Sequence, residues 1–99
     1  MRPKDIANSN MDRDEAEILA YKIVTHIVSE EDLLLRFLAL TGLTADDLPT
    51  AILDTEVLAG AVDFLLSHEP DLMAFCRNAG VDPRAVTAAR QLLPNPPAD

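Results

Sequence analysis

Residues 29–52 read SEEDLLLRFLALTGLTADDLPTAI, and residues 67–90 read SHEPDLMAFCRNAGVDPRAVTAAR. Each stretch has an acidic opening, an apolar run, a lone glycine and a second short apolar run behind a fresh Thr or Asp. Laid over one another at an offset of 38, they pair Ser29 with Ser67, Glu31 with Glu69, Leu34 with Leu72, Phe37 with Phe75, Gly42 with Gly80 and Ala51 with Ala89. Every one of these signals is of helical type. Ser29 with Asp32 has the spacing of a capping box, and Gly42 and Gly80 stand where a helix would end in a left-handed residue. Thr44 with Asp47 repeats the capping pattern, but Pro49 lacks the N–H that would bond Ala45, so the helix between them should be short or broken. No segment alternates with period two beside hairpin-type turns, so the predicted fold is all-α. The matches fit an internal duplication and equally fit the shared demands of helix, stop and new helix. Either way, the chain divides into two helical units, each too small to bury its apolar face alone.

Outward from these stretches, Asp12 or Asp14 can open a first helix running to about Val28. Asp54 begins a fourth that reaches about Ser67. Glu69 is the expected cap of the fifth, with Pro70 behind it, and Asp82 with Pro83 opens a sixth that ends before Pro94. The prediction is a compact bundle of five or six short helices over residues 12–93. It is flanked by tails at residues 1–11, which lack periodicity, and 94–99, which hold Pro94, Pro96 and Pro97.

Ala16, Leu19, Ala20, Ile23, Val24 and Ile27 form one apolar arc of the first helix. The second, with Leu33, Leu34, Leu35, Phe37, Leu38 and Leu40, is apolar nearly all round, so it must be central or dock something. In the fourth, Val57, Leu58, Ala61, Val62, Phe64, Leu65 and Leu66 should pack inward. Glu56, Ala59, Gly60, Asp63 and Ser67 share the other side.

The chain has 99 residues, 48% hydrophobic and 25% charged, which suits one globular domain and excludes wholesale disorder. Eight Lys and Arg against 17 Asp and Glu leave a net charge of -9, which opposes phosphate backbones and anionic membranes. The excess has a plain origin, because all acids except Asp5, Asp63 and Asp99 lie in or beside a predicted first turn, where the helix dipole favours anions. It is also localised: between residues 29 and 71 stand ten acids and one cation, Arg36. A single cysteine excludes an internal disulfide and fits a reducing compartment. The start, MRPKDIANSN, is too polar for a signal peptide, and charges interrupt every apolar stretch before it reaches a membrane span. The expected location is cytoplasmic.

Chemistry is sparse. His26 stands four residues before Glu30, a spacing that suits an ion pair at a helix end better than an acid–base dyad. His26, His68 and Cys76 match no zinc pattern, no calcium loop is present, and Gly42, Gly60 and Gly80 are too isolated to cradle a phosphate. Cys76 beside Phe75 reads as a buried inert thiol. No catalytic residue, cofactor or metal ligand is assigned, and the chain is read as a non-enzyme.

A helix-turn-helix is the nearest functional pattern. Phe75, Cys76, Gly80, Val81, Val86 and Ala89 have the spacing of its apolar supports, and the following helix would expose Arg84, Thr87, Arg90 and Gln91. Any two helices joined by a tight glycine turn share that spacing, and the net charge argues against nucleic acid. The leading expectation is a module that binds another cytoplasmic protein or itself. Its candidate surface is Leu35 with the small-residue strip of Glu56, Ala59, Gly60 and Asp63.

The runs RFLALTGLTADDL, VDFLLSHEPDLMAF and GVDPRAVTAARQLLP resemble a family of small helical proteins of unknown function found mainly in alphaproteobacteria. The likeness spans roughly Ala16 to Pro94, and it implies an all-helical fold and a bacterial cytoplasm with no activity or catalytic residue to carry over. Pro49 departs from the ordinary helix former expected there.

Overall fold

A computed structural model describes residues 11–94. Its helices are α1 (Arg13–Ser29), α2 (Glu31–Thr41), α3 (Leu48–Ala51), α4 (Thr55–Leu66), α5 (Glu69–Ala79) and α6 (Pro83–Leu92), with a 3₁₀ turn at Ala45–Asp47 before α3. No strand occurs among the described residues. The fold is the small all-α bundle that the punctuation predicts. Apart from Met11 and Pro94, both half-buried, the two predicted tails lie outside the described residues.

Each boundary has a local cause. Asp12 caps α1 with a complete box: its carboxylate accepts the Glu15 N–H at 2.8 Å, and Glu15 accepts the Asp12 N–H at 3.0 Å. Asp54 and Asp82 cap α4 and α6 by accepting the N–H groups of Glu56 and Arg84, both at 2.8 Å. The expected box at Ser29 does not form. Glu30 takes the cap position without a side-chain bond, and the Ser29 hydroxyl turns back to donate to the His26 carbonyl at 2.7 Å. The hydroxyl finds a nearer acceptor in the frayed last turn of α1 than a donor in the first turn of α2. Ser67 does the same at the end of α4, donating to the Phe64 carbonyl at 2.8 Å. His68 rather than Glu69 precedes α5, a shift of one residue.

Gly42 and Gly80 end α2 and α5 with φ of +78° and +68°, and no side chain stands within 4 Å of where a Cβ would sit. It is the backbone conformation, and not crowding, that asks for glycine there. Pro49 has the foreseen effect. Without its N–H the chain from Ala45 makes a 3₁₀ turn, and the α-turn begins only at Leu48, with the proline in its first turn.

The core lies between α1 and α4. All six residues of the predicted α1 arc are buried, and Leu58, Ala59, Ala61, Val62, Phe64 and Leu65 face them from α4. Val57 and Leu66, expected inside, are half-buried. Phe37 and Phe75 seal the two sides, each 1% exposed. Helix α6 packs along α1 and α4 and buries Ala85, Val86 and Ala89.

The 38-residue offset holds in three dimensions. Helices α2 and α5 each have 11 residues, each follows a cap without a side-chain bond, and each ends in a left-handed glycine. Two ring contacts between the units are reciprocal. Phe37 meets Phe64 edge-on at 5.5 Å between ring centroids, and Phe75 meets His26 edge-on at 5.4 Å. Residues 26 and 64, like 37 and 75, are 38 apart, so each unit's second helix leans on the other unit's first.

Candidate interaction surface

Helix α4 displays the small-residue strip, and the structure redraws it. Glu56 and Asp63 are exposed and Gly60 is half-buried, but Ala59 is only 1% exposed and is withdrawn from the surface. The shift is one of helical phase: α6 packs against α4 as well as α1, which widens the covered arc of α4 beyond a single stripe. Gly60 meets no atom within 4 Å of a built Cβ, so nothing inside the fold requires its lack of a side chain. It lines a shallow groove of about 310 Å³ with Thr41, Leu43, Asp54, Glu56 and Val57. Leu35 is 57% exposed on α2 but does not line this groove.

Two larger exposed side chains escaped the sequence reading. Leu40 is 70% exposed and Leu53 is 73% exposed. Leu40 belongs to a helix already seen to be apolar nearly all round, so the signal was available, although its direction depends on where α2 meets α1. Leu53 sits in the turn before α4, where no periodicity assigns a face. Each is next in the chain to a residue of the groove, Thr41 or Asp54.

The residues proposed to face nucleic acid scatter in role. Thr87 and Gln91 are exposed on α6. Arg84 bonds back to the cap residue Asp82, at 2.9 Å from Nη2 and 3.3 Å from Nε. This bond draws the Asp82 carboxyl below the usual carboxylate range and raises the Arg84 guanidinium further. Arg90, whose side chain is 15% exposed, donates from Nε to Asp63 at 2.7 Å and from Nη1 to the Leu93 carbonyl at 3.3 Å. One residue of each predicted surface is thus spent on the other.

A second opening lies between α1, α2 and α5. His26 and Asn78 line both a cleft of about 380 Å³ with Lys22 and Phe75 and a neighbouring one of about 300 Å³ with Arg36 and Asp71. Asp71 accepts from Arg36 at 2.8 Å, and His68 Nδ1 lies 2.8 Å from the same oxygen. Partial burial pushes the Asp71 carboxyl up, but the bonds from Arg36 and His68 outweigh it and hold it below its ordinary value. Arg36 also lies over the Phe64 ring at 5.5 Å. Cys76, 5% exposed, has its thiol pKa raised by burial and then by the Asp82 charge, the reverse of an activated nucleophile. Among the described residues no three His, Cys, Asp or Glu side chains gather as a metal site would need, and no described helix is long and apolar enough to cross a membrane.

What the fold and its surface define is a small acidic helical bundle with exposed leucines beside a groove. The chain belongs to a family of proteins of unknown function, DUF3572, whose model matches residues 13–96. No curated protein and no solved structure matches it.

Proposed function

We propose that this chain is a non-enzymatic protein-interaction module of the bacterial cytoplasm. The observation that carries the reading is the exposure of Leu35, Leu40 and Leu53, all three more than half exposed, in the half of the chain that also holds ten of its acids. A contiguous apolar patch rimmed by charge is what a partner covers, and Leu40 and Leu53 each adjoin in the chain a residue of the groove. The arrangement of titratable groups adds support, because the carboxylates cap helices or pair with arginines instead of converging on a reacting atom.

The test is capture of partners by the full chain and by a Leu40→Glu, Leu53→Glu variant, at low and high salt. The reading expects a partner that survives high salt and is lost with the variant, whose thermal midpoint stays near that of the wild type. Retention of nucleic acid that falls steeply with salt and disappears on changing Arg84 and Gln91 would favour the helix-turn-helix reading instead. The pairing of Arg84 and Arg90 with carboxylates weighs against that outcome.

A further inference from the structure

The two clefts that share His26 and Asn78 gather charges that the fold leaves unanswered. Lys22, Thr25 and His26 recur at helical spacing on α1 and line the larger cleft with Phe75 and Asn78 of α5. The adjoining cleft is lined by Glu30 and Asp32 as well. Among the described residues the side chains of Lys22, Asn78, Glu30 and Asp32 have no hydrogen-bond or ion-pair partner. The reasons are local. No acid stands three or four residues from Lys22 on α1, where its neighbours are Ile18, Leu19, Thr25 and His26. Asp32 stands four residues before Arg36, but that guanidinium is taken by Asp71 at 2.8 Å. The ion pair suggested by the spacing of His26 and Glu30 does not form, and the imidazole lies edge-on to Phe75 instead. Nor does the fold ask for polar groups here, since at the 38-residue offset Lys22, His26 and Asn78 correspond to Gly60, Phe64 and Leu40.

We propose that the two clefts together bind a short free peptide, with its carboxylate at Lys22 and its ammonium at Glu30 and Asp32. Charge sets the ends, because the cation lines one cleft and the two unpaired acids line the other. Span sets the length. Glu30 follows Lys22 by eight residues, which is about 12 Å along a helix axis. An extended tripeptide holds its terminal charges about 10 Å apart, and the reach of the two side chains closes the difference. A single amino acid carries both charges on one carbon and cannot bridge the site. The tail of a protein offers one free terminus and leaves the opposite charge unanswered. Between the ends, the Asn78 amide can donate and accept at once, which complements a peptide unit, and Phe75 with Ala79 forms an apolar wall for the last side chain. This site is separate from the leucine surface, so the interaction-module reading stands or falls without it.

The probe is the tripeptide Ala-Ala-Leu with free termini, titrated into the ¹⁵N-labelled full chain beside its N-acetylated, C-amidated and doubly capped forms and beside free leucine. Saturable shifts centred on Lys22, His26 and Asn78 are expected from the free tripeptide. Capping either end should weaken binding about fivefold, the worth of one partly exposed ion pair, and free leucine should bind no better than a singly capped form. Lys22→Gln should weaken the free tripeptide about fivefold and leave the amidated one unchanged, a split that a general loss of structure would not produce. Lys22 is exposed, so this variant does not disturb the core. No saturable shift, equal binding of the doubly capped tripeptide or of free leucine, or the same loss for both tripeptides in Lys22→Gln would each overturn the proposal. Shifts centred on Val57 and Gly60 would overturn it too, by placing the peptide in the groove on α4.

Discussion

The two halves of the bundle agree in their second helices and part company in their third. Helices α2 and α5 match in length, cap, glycine stop and the phenylalanine that seals the core. Beyond the glycine, the chain after Gly80 runs as ten residues of α6 across both α1 and α4, whereas the chain after Gly42 makes a 3₁₀ turn and one α-turn. Pro49 is the local cause of the late start of α3, since position 87 in the other unit is Thr, which keeps its N–H. Connection is the second cause, because α4 begins at Thr55 and leaves no room for a longer helix before it. One proline and a short tether thus leave the first unit with a 3₁₀ turn and one α-turn where the second has a ten-residue helix.

The sharpest way to break this comparison is through its strongest match. Phe37→Ala and Phe75→Ala each empty a site that is 1% exposed, and each should cost about 3–5 kcal/mol. Equivalence requires the two costs to agree within about 1 kcal/mol in denaturant midpoints. A large gap would mean that one ring contact, with Phe64 or with His26, dominates the core.

The glycine stops come next. Gly42→Ala and Gly80→Ala should each lose about 1 kcal/mol, because the strain lies in φ and no neighbour has to move. Gly80 holds the firmer turn, with its own N–H and that of Val81 both donating to the Cys76 carbonyl, while Leu43 donates to the Thr41 hydroxyl. A measurably smaller loss at Gly42 in thermal unfolding would expose that difference.

These stops are also where the sequence was most readable. Asp12, Thr44, Asp54 and Asp82 announce helices by the chemistry of their own side chains, and the glycines end them by their own backbone freedom, so no distant residue is needed to interpret them. The α1 arc was readable because one helix packed on one face keeps a clean period. Ala59 was misplaced because α4 is covered from two directions, and no periodicity in α4 alone records the arrival of α6. Ser29 was misread because a serine at a helix junction serves either neighbour, and the choice depends on the angle between them. The candidate surface was read only in part for the same reason. Leu40, Leu53 and the ion pair of Asp63 with Arg90 owe their status to tertiary placement.

A smaller change sharpens the comparison at α4 itself. Gly60 corresponds to Lys22 on α1, an ordinary exposed helical position, and its built Cβ meets open space. Gly60→Ala should therefore stabilise the isolated chain by about 0.4–1 kcal/mol, through the lower entropy of its unfolded state and better helix propensity. Calorimetry showing a destabilised variant would mean that α4 is tighter here than its geometry indicates.

The smallest effect concerns a charged contact between units that has no counterpart among the described residues. Arg36 reaches across to Asp71 and lies over Phe64, but the position matching Arg36 is Ala74 and the position matching Asp71 is Leu33, so the reciprocal side at His26 lacks an equivalent pair. The Asp71 carboxyl is held below its ordinary value of 3.8, so the folded state binds this proton less readily than the unfolded chain does. Its contribution to stability is therefore complete at neutral pH, begins to fade as pH falls into the unfolded carboxyl range, and is lost once pH drops through the folded value. Asp71→Asn removes the charge at every pH. Its denaturant midpoint should lie below that of the wild type at pH 7, and the gap should narrow steadily as both are titrated toward pH 2. A gap that stays constant over that range would show that Asp71 acts through shape or neutral hydrogen bonding, and the ionic cross-link would then cease to distinguish the two faces of the bundle.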